Sequence, residues 1–146
     1  MVRFDFAVEI DRAASEVWDW LTDPSRVPEW QSSLVSAEQV GGEPMGVGTR
    51  IHDARRFGGR TIDSVVEVTE YEPQRLFTLH GISGPVRFDI RQRLEPLGED
   101  RTRVAVEARA DPGGLSRFTA PLISHRAERE MRCDFERLKQ LLERAP

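Results

Sequence analysis

Hydrophobic and polar residues alternate along the first ten positions of the chain, which is the pattern of a β-strand with one buried and one solvent-exposed side. The apolar side carries Phe4, Phe6, Val8 and Ile10. The alternation stops at Asp11, and residues 15–21 then have the spacing of a short amphipathic helix that ends at Asp23-Pro24. Because Asp is a good N-cap and Pro is tolerated in the first helical turn, this dipeptide also predicts a second short helix that includes Val27 and Trp30.

The centre of the chain predicts about six further strands that are separated by turns. Gly41-Gly42, Gly58-Gly59 and Gly98-Glu99-Asp100 supply the flexible or polar residues that turns between strands require. The last two strands show the clearest alternation. The predicted strands cover residues 34–40, 49–56, 60–71, 75–80, 86–94 and 102–108.

The segment from Leu115 to Arg144 has the pattern of one long amphipathic helix. Its apolar side carries Leu122, Ala127, Met131, Phe135, Leu138 and Leu142. At about 1.5 Å per residue the helix would be about 45 Å long, so we expect it to cross a curved sheet diagonally. Two starts are compatible with the sequence. A start at Ser116 places Pro121 inside the helix, where it would cause a kink, whereas a start at Thr119 places Pro121 in the tolerant first turn.

Length and composition limit the class of protein. The 146 residues fit one domain, and a net charge of −4 lacks the basic excess that nucleic-acid binding requires. The single cysteine, Cys133, excludes an intrachain disulfide, and we expect it to be a small buried side chain of the last helix. Because no leader precedes the first strand and no apolar run reaches about 18 residues, we expect a cytoplasmic protein without integral membrane association.

The order of elements and several sequence strings resemble the START-like superfamily, whose helix-grip proteins include polyketide cyclases and the major birch pollen allergen. The strings are VEIDRAASEVWDWLTDPSRVPEW, GVGTRIHDARRFGGR, VTEYEPQRLF and DFERLKQLLE, and together they extend over essentially the whole chain. Within the superfamily the sequence looks most like the bacterial polyketide cyclase/dehydrase branch. The resemblance implies one α+β domain over residues 1–146, in which a curved antiparallel sheet of about seven strands wraps around the long C-terminal helix. It also implies a cavity for a small hydrophobic ligand, closed at one end by the two short helices, and no metal or bound cofactor.

Several apolar residues are candidates for ligand contact in such a cavity. Phe77, Leu79, Phe88 and Ile90 would project from the concave side of the sheet, although each could instead pack only against protein. Trp30 could stack on a flat ligand or anchor the short helices to the sheet. Phe118 and Leu122, in the first half of the long helix, are expected to face the cavity.

Polar residues near these apolar positions are further candidates. Gln92 interrupts the apolar side of its strand, so its amide either binds the polar contents of the cavity or satisfies a nearby backbone group. Arg126 could pair with a ligand oxygen or with an acidic residue. His52 and His125 could exchange protons near neutral pH, although surface roles are favoured for both.

Known cofactor motifs do not occur in the sequence. The three histidines are widely scattered, and no phosphate-binding loop, dinucleotide fingerprint or G-x-S-x-G motif is found. Three functions follow as hypotheses. The chain binds a lipid, polyketide or quinone-like molecule without catalysis; it uses the same pocket as a polyketide cyclase; or the arginine-rich outer side of the last helix binds a protein. Monomer and homodimer are both compatible with the sequence.

Overall fold

The computed structural model describes residues 2–57, 59–83, 87–111 and 120–145, and these residues form the predicted succession of a strand, two short helices, six strands and a long helix. The elements are β1 (Val2–Ile10), α1 (Ala14–Thr22), α2 (Val27–Trp30), β2 (Leu34–Val40), β3 (Arg50–Phe57), β4 (Arg60–Glu72), β5 (Leu76–Gly81), β6 (Arg87–Gly98), β7 (Arg101–Asp111) and α3 (Ala120–Arg144).

The strands form one antiparallel sheet in the order β1-β7-β6-β5-β4-β3-β2. Its inward side contains the residues that the period-two pattern predicts to be buried. One buried row crosses four strands in register and consists of Phe6, Val106, Gln92 and Phe77. The predicted sheet with a long C-terminal helix is therefore confirmed.

A β-bulge contributes to the curvature of this sheet. In β4 the register shifts between Val68, which pairs with Leu79, and Glu70, which pairs with Thr78. Thr69 is thus the additional residue on the longer strand. A bulge bends its strand and increases the local twist, so it favours a concave face.

The C-terminal half of α3 packs against β1 and α2. Phe135 contacts the Phe6 ring edge to face at a centroid distance of 5.5 Å, and Trp30 at 5.0 Å. Leu138 and Leu142 are almost completely buried. This half of the helix therefore covers the core, as the apolar pattern predicts.

The end of α3 is held by Arg12, which follows β1. Its Nη2 atom donates hydrogen bonds to the carbonyl oxygens of Glu143, at 3.1 Å, and Ala145, at 2.7 Å. The backbone N–H of Asp11 donates to Oε2 of Glu143 at 2.9 Å, and Oγ1 of Thr102 donates to the carbonyl oxygen of Arg12 at 2.8 Å. The two bonds from Arg12 satisfy carbonyl groups that a helix end leaves without partners, and the other two fix the segment around Arg12.

The predicted start of the second short helix was wrong. The carboxylate of Asp23 accepts hydrogen bonds from the backbone N–H and the hydroxyl of Ser25, at 3.0 and 2.7 Å. Asp23 therefore stabilises a turn, and α2 begins only at Val27. The side chain that was expected to cap the helix is already used by the turn.

Two expectations for the long helix were also wrong. Leu122 is 73% exposed, and Cys133 is exposed as well. The neighbouring Asp134 is buried in place of Cys133, because it lies on the side of α3 that faces Ser32. Both proposed helix starts and Phe118 lie outside the described residues, and Pro121 is the second residue of α3 as described.

Candidate functional site

A small cavity lies beside the two short helices and the inward side of the sheet. Its volume is about 40 Å³, which exceeds the roughly 10–15 Å³ that a cavity needs to hold one water molecule and is enough for one small chemical group. Side chains from α1 and from strands β3 to β5 form its apolar wall. They include Leu21, Ile51, Val66, Phe77 and Leu79.

The wall of the cavity also carries residues with polar groups. They include Trp30, Gln31, Asp53, Arg55 and Gln92. Gln92 is buried and donates a hydrogen bond from Nε2 to the carbonyl oxygen of Phe77 at 3.3 Å, which corresponds to the backbone partner, one of the two roles considered for it. Trp30 is 1% exposed, and its Nε1–H group has no hydrogen-bond acceptor among the described residues.

Arg55 is fixed at the rim of the cavity. Its Nη2 atom donates to Oε1 of Gln31 at 2.6 Å, and its Nη1 atom donates to Oγ of Ser33 at 3.1 Å. The same Nη2 atom lies 3.6 Å from Oδ2 of Asp53, and the Arg55 side chain is 37% exposed. The guanidinium therefore joins β3 to the segment that follows α2.

Asp53 provides a buried carboxyl group in the wall. Alternation along β3 places Ile51, Asp53 and Arg55 on the same inward side of the sheet. Burial raises the pKa of the Asp53 carboxyl, while the charges of Arg55 and His52 act in the opposite direction. A carboxyl group with a raised pKa in a cavity is suited to proton exchange.

Asp134 is a second buried carboxyl group, and it links α3 to the same region. Its Oδ1 atom accepts hydrogen bonds from the backbone N–H and the hydroxyl of Ser32, both at 3.2 Å. Burial raises the pKa of Asp134, the bonds from Ser32 lower it, and the charges of Glu130 and Arg55 raise and lower it respectively. Arg55 therefore acts electrostatically on both buried carboxyl groups.

An apolar surface continues from the cavity along the concave side of the sheet. Leu79 and Ile90 are register partners on β5 and β6, and Leu79 also lines the cavity. Beside them the Phe88 ring lies over Gly81, where a Cβ atom would be only 2.5 Å from Cε1 of the ring. We call the half-buried side chains of this surface the apolar trough; they are Phe4, Leu79, Phe88 and Ile90.

The structure brings most of the predicted site residues together. Four of them line the cavity, namely Trp30, Phe77, Leu79 and Gln92. Phe88 and Ile90 belong to the adjoining trough. Ligand contact by these six residues remains a prediction.

Three predicted residues do not line the cavity. His52 lies on the opposite side of β3 from Asp53, because successive side chains of a strand alternate, and its Nε2 atom is 3.4 Å from Oδ1 of Asp63. Leu122 and Arg126 are exposed on the first turns of α3. Leu122 and Arg126 therefore do not face this cavity as expected, whereas His52 has the surface position that was favoured for it.

Asp53, Arg55 and Asp134 were not predicted from the sequence as residues of the site. A signal for the first two was present, because they follow Ile51 at alternate positions of a predicted strand. Two charged residues on an inward side are unusual unless they are paired. Asp134 had a weaker signal, since it precedes Phe135 in the apolar stripe of α3.

Within residues 2–57, 59–83, 87–111 and 120–145, no three His, Cys, Asp or Glu side chains are grouped so that they could hold a metal ion. No helix in this part of the chain has the length and apolar character needed to cross a membrane.

Residues 1–143 match the sequence model of a family described as polyketide cyclase/dehydrase and lipid transport. The chain belongs to this family. The branch that the sequence strings resemble is thereby confirmed. No protein of curated function matches the sequence.

Solved structures place this polyketide cyclase/dehydrase family member in the START-like fold. The ZhuI aromatase/cyclase from Streptomyces sp. R1128 is 16% identical, with a TM-score of 0.79, over 97% of this chain and 93% of that chain. A START superfamily protein from Mycobacterium smegmatis is 13% identical, with a TM-score of 0.81, over 98% of both chains. The di-domain aromatase/cyclase BexL, from the BE-7585A biosynthetic pathway, is 19% identical, with a TM-score of 0.77, over 98% of this chain and 47% of that chain. At these identities the likeness concerns the fold, and it confirms the helix-grip prediction.

Proposed function

We propose that the protein binds a small hydrophobic molecule, such as a lipid, polyketide or quinone, with its body on the apolar trough and one end in the cavity. The observation that carries this proposal is the continuity of the two features at Leu79, which belongs to both. Small-molecule sites commonly combine apolar walls with a few polar groups. The family to which the chain belongs is named for polyketide and lipid ligands, which supports the same class.

The sizes of the two features decide how such a ligand would lie. The volume of about 40 Å³ is well below the roughly 150 Å³ of a cavity that binds benzene, so we expect the cavity to receive a terminal group of the ligand. The trough, in contrast, leaves four large apolar side chains half-buried. Covering them provides binding free energy of about 25 cal/mol per Å² of apolar surface removed from water.

Native mass spectrometry of the freshly purified protein, followed by titration of ligand-free protein with 2-isopropylnaphthalene, tests this proposal. Ile90→Asn should weaken binding of this hydrocarbon about tenfold, because a polar group then lies under its apolar surface. Val40→Asn is the matched control, since Val40 is 55% exposed on the edge strand β2. Equal weakening by both substitutions would contradict the proposal, as would absence of binding by the wild-type protein both of this hydrocarbon and of its ketone analogue 2-acetylnaphthalene.

A second candidate function is cyclisation of a poly-β-ketone, and the buried Asp53 carboxyl favours it. In such a reaction the Asp53 carboxylate would take a proton from the carbon between two ketone groups, and the carbanion would add to another ketone carbon and leave an alkoxide there. The protonated Asp53 would give its proton to this alkoxide, which becomes a hydroxyl. The regenerated carboxylate would then take the second proton from the same carbon and pass it to the departing hydroxyl, which leaves as water while a carbon–carbon double bond forms. Burial, which raises the pKa of Asp53, suits both steps.

The cyclase candidate is tested by comparing products from a reactive poly-β-ketone in the presence of wild-type protein, Asp53→Asn and Asp63→Asn. Asp63 is the control because its carboxylate pairs with His52 outside the cavity. We expect Asp53→Asn alone to return the product mixture to that of the uncatalysed reaction. Identical products from all three proteins would leave binding without catalysis as the function.

A further inference from the structure

The indole of Trp30 carries a buried hydrogen-bond donor without a partner. Its Nε1–H group is buried and meets no acceptor among the described residues. The ring lines the cavity, and its contact with Phe135 at a centroid distance of 5.0 Å holds it in place. A buried donor without an acceptor is unfavourable, so an occupant whose acceptor oxygen reaches Nε1 would gain a hydrogen bond that the protein itself does not supply.

Two other donor side chains at the cavity, those of Gln92 and Arg55, already have protein acceptors. Nε2 of Gln92 donates to the carbonyl oxygen of Phe77, and both terminal nitrogens of Arg55 donate to side-chain oxygens. The guanidinium is therefore not free to form a two-pronged pair with a ligand carboxylate. Among the described cavity residues, Nε1 of Trp30 is the fully buried side-chain nitrogen without a hydrogen-bond partner.

The charges in the wall are balanced. The guanidinium of Arg55 lies 3.6 Å from the carboxylate of Asp53, and these are the two charged side chains of the described cavity wall. An anionic ligand group placed among them would be repelled by Asp53 and would lose its hydration without gaining a free cation.

We infer that the cavity receives the neutral end of a hydrophobic ligand that carries an acceptor oxygen, such as a ketone or quinone carbonyl, in preference to a carboxylate or a hydrocarbon end. The inference rests on the proposed binding function and specifies its ligand class. A carbonyl group also fits the volume of about 40 Å³, whereas the remainder of the ligand would extend over the trough.

Three probes of similar shape test the inference by calorimetric titration at about pH 8, where carboxylates are ionised. They are 2-acetylnaphthalene, which is neutral and has an acceptor; 2-naphthoate, which is anionic; and 2-isopropylnaphthalene, which has no acceptor. We expect the ketone to bind about tenfold more tightly than the hydrocarbon, because it satisfies the Trp30 donor, and at least tenfold more tightly than the naphthoate.

Substitutions identify the groups that are responsible. Trp30→Phe should remove the preference for the ketone over the hydrocarbon, and Trp20→Phe is the matched control because Trp20 contacts Arg26 outside the cavity. Asp53→Asn should strengthen naphthoate binding about tenfold relative to the ketone. Nitrogen-15 spectra of the wild-type protein give an independent measurement that does not depend on the folding of a variant. The Trp30 indole N–H resonance should shift downfield with the ketone and not with the hydrocarbon.

The outcomes separate this inference from the proposal on which it rests. Equal affinities for the ketone and the hydrocarbon, with equal shifts of the Trp30 resonance, would overturn the inference and leave hydrophobic binding intact. Tighter binding of naphthoate than of the ketone would also overturn it. Failure of all three probes to bind would overturn the binding function together with the inference.

Discussion

The rings of Trp30 and Phe135 meet edge to face, with a centroid distance of 5.0 Å and an interplanar angle of 63°. Both residues are almost completely buried. Phe135 belongs to α3, whereas Trp30 belongs to α2 and also lines the cavity. The packing of the long helix and the shape of the cavity wall therefore depend on the same contact.

The two halves of α3 should respond differently to the same substitution. Leu138 is fully buried, so Leu138→Ala should lower the free energy of unfolding by about 2–5 kcal/mol. Leu122 is 73% exposed on the same helix, and Leu122→Ala should change the free energy of unfolding by less than about 0.5 kcal/mol. Urea denaturation of both variants measures the difference. Similar losses would contradict the assignment of the core to the C-terminal half.

Asp134 should make the protein less stable as the pH rises. Burial raises its pKa above 3.8, so the folded protein binds this proton more tightly than the unfolded chain does. The stabilisation is present below the ordinary pKa and is lost as the pH rises through the raised one. Asp134→Asn keeps an acceptor for Ser32 and does not titrate. The unfolding free energy of Asp134→Asn minus that of the wild-type protein should therefore increase as the pH rises from about 4 to about 7.

Denaturation at several pH values measures this increase, and Glu136→Gln is the control because Glu136 is exposed on the same helix. Asp53 is present in all these proteins, so its own titration cancels in the comparison. Glu130 and Arg55, whose charges act on Asp134, are unchanged as well. If the stability difference between Asp134→Asn and the wild-type protein stays constant or falls as the pH rises, the raised pKa of Asp134 is contradicted.

Gly81 should be required for the position of the Phe88 ring. A Cβ atom at residue 81 would lie 2.5 Å from Cε1 of Phe88, so Gly81→Ala must displace this ring. We expect a loss of about 1–3 kcal/mol in unfolding free energy, because added volume strains a packed site. The double substitution Gly81→Ala/Phe88→Leu should recover part of the loss.

Gly42→Ala provides the comparison for Gly81, since a Cβ atom there would have no neighbour within 4 Å. A double-mutant cycle by chemical denaturation measures the coupling between residues 81 and 88. Additive effects of the two substitutions would argue against the contact.

Arg12 should stabilise the end of α3. Arg12→Ala removes two hydrogen bonds to the carbonyl oxygens of Glu143 and Ala145, and we expect a loss of about 1–2 kcal/mol in unfolding free energy. Arg137→Ala, on the exposed side of the same helix, should have little effect. Thermal and urea unfolding measure the stability of both variants. Equal losses for Arg12→Ala and Arg137→Ala would mean that the hydrogen bonds of Arg12 do not stabilise the end of α3.

Periodicity predicted the elements of this fold well, because burial on one side of a strand or helix leaves a direct pattern in the sequence. Phe6 and Val106 on the sheet, and Phe135 and Leu138 on α3, are buried as their spacing indicates. The same rule failed for Leu122, because an apolar residue in the stripe is buried only where another element lies opposite it.

The polar part of the site was harder to predict. Asp53 and Arg55 are found together with Gln31 and Ser33 only after α2 and β3 have folded against each other. Likewise, the hydrogen bonds between Asp134 and Ser32 join residues that are 102 positions apart. Local patterns report burial, whereas such pairings depend on the tertiary arrangement.

The attachment of α3 by Arg12 at one end sets a gradient in backbone protection along the helix. Around Leu138 and Leu142 the amide hydrogens should exchange with solvent only when the whole protein unfolds, because these turns are buried and held at their end. Between Pro121 and Arg126 most described side chains are exposed, so the amides there should exchange through local opening. One continuous helix would then contain both very slowly and rapidly exchanging amide hydrogens. The position along α3 at which the exchange rate changes would show how far the buried core extends.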